Sequence, residues 1–371
     1  MPPSLRIAYL AHSLRSDWNN GNAHFLRGLA RALTAMGHDI AIFEQSPGWS
    51  SRHLIQEPRG ANAISQFEKT YPELRISTYT DQQLHSLPFW RNALADREIV
   101  ILHEWNPPEL ANILLDLRNT LGFRLLFHDT HHRASSSPEE IRLFRIDRFD
   151  AVLAFGDALR RIYQDQLGIR RVWTFHEAAD TTVFRPRPHT SKTSDVVWIG
   201  NWGDDERSDE ICEFLLKPAM SLRDHSFSVY GVRYPPNGVA ALLSAGVRYG
   251  GYLPNLDAPT IYAAARVTLH IPRQQYATAM HGIPTIRVFE ALACGIPLIS
   301  APWDDTEHLF RKGDIAFAGN SAEMKLAILR LLSDNQAAEQ QASQGFETVL
   351  AHHTCAHRAR QLTSICEELL K

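Results

Sequence analysis

Cysteine is scarce in this 371-residue chain: there are four, at 212, 294, 355 and 366, and no two form a CxxC pair. That spacing excludes a disulfide framework and a zinc ribbon. Lysine is also rare, 6 residues against 32 arginines, and the net charge is −3. A broadly basic nucleic-acid-binding surface is excluded, although a local groove is not. No stretch approaches the roughly 18 uninterrupted apolar residues of a membrane helix. The opening "MPPSLRIAYLAHSLRS" lacks a signal-peptide layout, so a cytoplasmic, reduced protein is expected. Missing too are GxGxxG and GxxxxGK[ST], which speaks against a nicotinamide-dependent dehydrogenase or a P-loop NTPase. No HxH or HExxH places two ligands on one element, so no metal is expected.

Hydrophobic residues make up 44% and charged residues 21%, an ordinary globular balance. The length exceeds one typical core and predicts two domains. "LRIAYLAH" (5–12) reads as a strand, 25–33 as a helix with Gly37 behind it, and "DIAIFE" as a returning strand. That βαβ unit predicts a parallel sheet. Irregular loops are expected over 47–97, and "VFRPRPHTSKTSD" (183–195) reads as a linker. A second α/β series follows, with strands at 196–200, 226–231, 247–254, 267–273 and 297–302, and helix from about 321 onward.

Three strands of the first half end in a His-acid pair: His103-Glu104, His128-Asp129 and His176-Glu177. Ligands of open parallel sheets bind outside the carboxyl ends of the strands, so the three pairs point to a shared polar cleft. In the second half, "WIGNWGDDERS" sets Gly200 and Gly203 between a strand and a helix. Backbone N–H groups there suit a phosphate, with Arg207 adding charge. Arg273 follows another strand, and Arg287 and Glu290 follow in "IRVFEALACG". A carboxylate accepts hydrogen bonds from adjacent ribose hydroxyls. The plainer alternative is a Glu290 that sits at a helix start and complements the helix dipole.

At this point the chain resembles a family. "GNAHFLRGLARALTAMGHDIAIFE", "HEAADTTVFRP", "VRYGGYLPNLDAPTIYAAARVTLHIP" and "RVFEALACGIPLIS" are similar, in this order, to segments of GT-B nucleotide-sugar glycosyltransferases. "PTIRVFEALACGIPLI" most resembles the CgeB-like (spore maturation protein) subgroup. The resemblance implies two Rossmann-like, doubly wound parallel-sheet domains facing a cleft. It implies an acceptor domain at 1–185, a donor domain at 186–350 and a helix at 351–371 that returns to the first domain.

Residue by residue, Glu290 matches the ribose-binding glutamate, and Tyr252 and Leu253 lie where the nucleobase would rest. Arg207 and Arg273 fall on the diphosphate side, and Gly200, Asn201 and Arg287 are further candidates for donor binding. Gly21 and Asn22 lie in the first-domain loop that faces donor phosphates or acceptor. Retaining members place a sugar-contacting glutamate eight residues before the ribose-binding one, where this chain has Gly282. Sugar contact is therefore expected from backbone at Gly282-Ile283.

The implied activity is metal-independent transfer from a nucleoside-diphosphate sugar, with no cofactor, to an acceptor hydroxyl. The acceptor is a glycan, protein, small molecule or modified nucleic acid. Asp129 helped by His131, or His12, is the candidate base. Two alternatives stay open: a sugar-nucleotide epimerase of the same fold and a non-catalytic nucleotide-sugar-binding protein.

Overall fold

Ile99, Val100, Ile101 and Leu102 are all completely buried, the continuous apolar run required of a strand covered on both faces. In the computed structural model, which describes residues 4–203 and 207–371, they form the middle of a seven-stranded parallel sheet. Its strands are β1 (Arg6–Leu10), β2 (Asp39–Gln45), β3 (Ile76–Tyr79), β4 (Ile99–His103), β5 (Arg124–Asp129), β6 (Ala151–Ala154) and β7 (Val172–Thr174). They lie in the order β3-β2-β1-β4-β5-β6-β7. The order reverses between β1 and β4, and the loops after those two strands open a crevice there.

This sheet belongs to the first of two compact units, which comprises 1–177 together with 355–371. The helix Cys355–Leu370 packs on the helix Ala23–Ala35. Its face of Ala359, Leu362, Ile365, Cys366 and Leu369 is buried. Polar ties hold it as well: Gln361 Nε2 donates to the Thr174 carbonyl at 2.8 Å, and His38 Nε2 meets Thr363 Oγ1 at 3.0 Å. Burying Leu362, Ile365 and Leu369 contributes about 1.5–3 kcal/mol each.

The stretch 47–97 is more regular than its sequence suggests. It carries helices Trp49–Gln56, Gly60–Thr70, Asp81–Leu84 and Leu87–Ala93 besides β3. Thr80 and Gln83 form a reciprocal capping box, and Ser86 caps the next helix through the Phe89 N–H.

The second unit, Ala178–Thr354, has a six-stranded parallel sheet. Its strands are β8 (Ser194–Ile199), β9 (Phe227–Tyr230), β10 (Val247–Tyr249), β11 (Ala265–His270), β12 (Leu298–Ser300) and β13 (Ala316–Phe317). The order β10-β9-β8-β11-β12-β13 reverses between β8 and β11. Trp198, Val229, Leu269 and Ile299 share one core with residues of the helix Ser321–Ser333. That helix and the helix Asn335–His352 start on side-chain caps from Asn320 and Asp334. Among the described residues no helix is long and apolar enough to cross a membrane.

Candidate functional site

In the second unit, the loops after β8 and β11 flank the point where strand order reverses. Gly200 follows β8, its carbonyl accepting from the Tyr234 hydroxyl at 2.7 Å. Asn201 Oδ1 accepts from the Val232 N–H at 2.9 Å, which fixes the first turn of the loop. Asp204, Asp205 and Glu206 of the expected phosphate loop lie outside the described residues. Arg207 Nη1 donates to the Ile271 carbonyl at 3.3 Å and so ties the two loops together. Its guanidinium also lies 5.8 Å from the centre of the Trp198 ring. Arg273, half-buried, sits just past β11 at the start of the short helix Gln274–Thr278.

Glu290 occupies the fifth position of the helix Ile286–Ala293, whose first turn holds no acidic residue. The helix-start reading therefore fails, because the helix begins after Thr285 and places Glu290 beyond the first turn, where the dipole acts. The carboxylate is fully buried. Asn255 Nδ2 donates to Oε1 at 3.0 Å, and Arg287, one turn earlier, pairs with Oε2. A buried carboxylate persists only with such partners. Tyr252 and Leu253 lie three and two residues ahead of Asn255, both half-buried, so the proposed base-side stretch and Glu290 are brought together.

Gly282 adopts φ +89°, and a Cβ there would stand 2.4 Å from Thr306 Oγ1. A residue with a side chain is therefore strained at position 282, where the resemblance implies a glutamate and this chain has glycine. Ile283 beside it is buried. His270, at the end of β11, meets Ser300 Oγ at 2.8 Å and Thr285 Oγ1 at 3.2 Å. Burial pushes its imidazole down to about 3, so it is a neutral bracket between β11, β12 and the Glu290 helix.

In the first unit, the structure gathers two of the three His-acid pairs. The His103 and His128 rings lie 5.6 Å apart. Glu104 accepts from Thr130 Oγ1 at 3.1 Å and pairs with Arg133 at 2.6 Å. Asp129 accepts from the Tyr163 hydroxyl at 2.6 Å and from the His131 N–H at 3.0 Å. His176-Glu177 follows β7, two strands beyond β5, where His176 Nδ1 meets the Phe155 carbonyl at 3.1 Å. All six side chains are buried. Where a cleft lining is expected from the strand ends, His103, Glu104, His128 and Asp129 instead make a closed polar core, because the loops behind β4 and β5 fold over them.

Burial raises both carboxyls, and the Asp129 charge raises Glu104 further while Arg133 opposes the rise. Burial pushes His103 down as well, and His128 to about 3. Gly21 and Asn22 precede the helix Ala23–Ala35, and Asn22 Nδ2 donates to Thr130 Oγ1 at 2.6 Å.

His12 differs from this closed group. It is half-buried and borders a cavity of about 450 Å³ beside β1 and β4. Burial lowers its pKa, which keeps it neutral at pH 7. Its ring centre lies 6.5 Å from Trp49 and 6.5 Å from Trp105. His131 reaches the same wall, 4.8 Å from Trp105. Neither tryptophan is singled out by sequence reasoning, nor are Asn255 and Arg133. The visible signals are Trp105 directly after His103-Glu104 and Asn255 two residues after Leu253. Among the described residues, no group of three or more His, Cys, Asp or Glu side chains is arranged to hold a metal ion.

Two doubly wound parallel sheets, each with chemistry-bearing loops at its strand reversal, are the two-domain architecture of GT-B glycosyltransferases. Residues 207–364 match a family model described as glycosyl transferase-like. The fold is similar to Anabaena HepE solved with UDP-glucose: TM-score 0.71, 14% identity, 98% of this chain and 100% of that one covered. Sucrose-phosphate synthase from Thermosynechococcus elongatus aligns with TM-score 0.68 and 15% identity over 98% and 99% of the two chains. An alpha-glucosyltransferase, solved with UDP and a 13-mer DNA, gives TM-score 0.68 and 12% identity over 98% and 100%. No curated protein sequence matches the chain.

Proposed function

We propose that the chain is a glycosyltransferase that takes a sugar from a UDP-sugar donor, without a metal, to an acceptor hydroxyl. The observation that carries this reading is Glu290, a buried carboxylate fixed by Asn255 and Arg287 inside the glycosyl transferase-like residues 207–364. Glu290 holds the ribose hydroxyls, and Arg287, the more exposed member of the pair, turns aside as the ribose enters. Tyr252 and Leu253 receive the base. UDP is named as the carrier because relatives of this fold were solved with UDP or UDP-glucose. The sequence run around Glu290 favours the CgeB-like subgroup. Among the described residues the four cysteines form no disulfide, which fits a reducing, cytoplasmic setting.

In the proposed reaction the acceptor oxygen bonds to the anomeric carbon, and the bond from that carbon to the diphosphate breaks. The diphosphate keeps the electron pair. Arg207, Arg273 and the backbone N–H groups near Gly200-Asn201 stabilise its growing charge. Backbone at Gly282-Ile283 takes the place of the missing sugar-contacting glutamate. Neutral His12 accepts the hydrogen bond of the attacking hydroxyl and receives its proton, with the Glu104-Asp129-His131 group fixing the wall behind it.

Titration calorimetry with UDP tests the donor reading. Glu290→Ala is expected to weaken UDP by roughly 10- to 100-fold, the scale of losing hydrogen bonds to a charged group. Equal affinity in the variant removes Glu290 from the site. Consumption of UDP-sugar with no acceptor present would instead point to an epimerase.

A further inference from the structure

The cavity beside His12 contains more than the transfer chemistry requires. Loops at the carboxyl ends of β1 to β4 build it, contributing His12, Gln45, Trp49, Asp81 and Trp105. Its volume, about 450 Å³, falls in the range of small-molecule sites. Two large indoles stand in its wall and remain open to solvent, Trp49 39% and Trp105 38% exposed.

Both indoles are held in place from behind. Trp18 meets Trp49 edge-on at 5.1 Å, and the Trp18 indole is itself anchored by a 2.8 Å hydrogen bond to Glu57. The Arg133 guanidinium lies 4.3 Å from the Trp105 ring centre, and Arg133 is locked to buried Glu104. Flat apolar surfaces that are already immobilised bind a ligand at low entropic cost.

Polar groups complete the wall in a particular balance. Asp81 accepts from Gln45 Nε2 at 2.5 Å, which sets an amide and a carboxylate side by side at the rim. Glu109 adds a second carboxylate against a single guanidinium, Arg52. With His12 neutral, the fixed charge of these three is net negative, and no lysine lines the cavity. A nucleic acid presents phosphates and demands the opposite balance. A sugar ring presents a C–H face suited to an indole and a rim of hydroxyls suited to carboxylates, amides and imidazole.

We propose that this cavity is a saccharide-binding site, with Trp49 and Trp105 as its stacking surfaces, and that the acceptor of the transfer is a carbohydrate. The second half of this statement rests on the glycosyl transfer proposed above; the binding site itself does not.

Titrations of tryptophan fluorescence with maltose, cellobiose, lactose and diacetylchitobiose, backed by saturation-transfer NMR, read the site directly. At least one disaccharide is expected to bind at millimolar concentration. Trp49→Ala and Trp105→Ala each weaken it by about tenfold or more, and Trp49→Phe restores most of the loss. Far-UV circular dichroism and the thermal unfolding midpoint of all three variants stay at the wild-type values, which shows that the first unit, where both tryptophans lie, is folded. Glu290→Ala loses UDP and keeps the disaccharide, so failure of the donor reading leaves this result standing. The proposal is overturned if none of the four sugars binds, or if both tryptophan variants bind sugar as well as the wild type. It is equally overturned if a short DNA duplex, with affinity falling steeply in salt, occupies the site in place of sugar.

Discussion

His12 and Asp129 are both acid–base candidates by sequence, and burial separates them. Asp129 is enclosed, with hydrogen bonds from Tyr163 and His131, whereas His12 borders an open cavity. A base must be unprotonated, and burial holds the His12 pKa below the ordinary histidine value of about 6.5. Activity is therefore expected to be flat near neutrality and to fall as pH drops through the lowered His12 pKa. His12→Asn is expected to lower turnover by roughly 10²- to 10⁴-fold and to remove that acid limb. A pH profile of kcat/KM for both proteins checks it; an unchanged limb in the variant assigns the titration elsewhere. Sequence placed both residues behind strands but showed neither enclosure nor exposure, because these depend on how the loops after β1, β4 and β5 fold together.

Among elements, the strands were the most legible. β4, β5, β8 and β11 are buried runs rich in Val, Ile and Leu, and the first-unit His-acid pairs and Gly200 were placed correctly at strand ends. Of the four edge strands, β7 and β10 were legible and two were not: β3 reads Ile-Ser-Thr-Tyr and is partly exposed, and β13 is two residues long. Edges lack the two-sided burial that writes an apolar run into sequence. The apolar pattern around Glu290 predicts its helix, but the helix starts four residues earlier than the sequence suggests, at the limit of what a sequence boundary resolves. The loop before that helix gives a sharp test. Gly282→Ala combines a left-handed backbone with a 2.4 Å approach to Thr306, so a loss of at least about 1–2 kcal/mol is expected. Thermal unfolding should show a midpoint lower by several degrees, and an unchanged midpoint would contradict the described loop.

At the scale of the molecule, the two units are expected to respond differently to pH. Glu104 and Asp129 lie in the first, and burial raises both above their unfolded values of about 4. The folded unit therefore binds more protons than the unfolded chain in that range. The contribution is fully present below about pH 4 and is lost as pH rises through the raised folded values. Asp129→Asn removes one of the two charges and is expected to flatten this dependence. Urea denaturation followed between pH 5 and 8 reads it, the expected trend being lower first-unit stability toward pH 8 in the wild type and a smaller slope in the variant.

The first unit is made of two separated pieces of chain, 1–177 and 355–371. A ribosome therefore releases all seven strands of its sheet well before the helix Cys355–Leu370 that lies on the helix Ala23–Ala35. Throughout synthesis of the intervening 177 residues, the face of the early helix waits uncovered, a period in which a chaperone or premature self-association competes for it. A chain ended at His353 preserves that nascent state permanently. It is expected to sediment as aggregates at concentrations where the 371-residue chain stays in the supernatant, and a synthetic 355–371 peptide added during refolding should restore solubility. Nascent folding of the first unit is thus timed by the synthesis of the second.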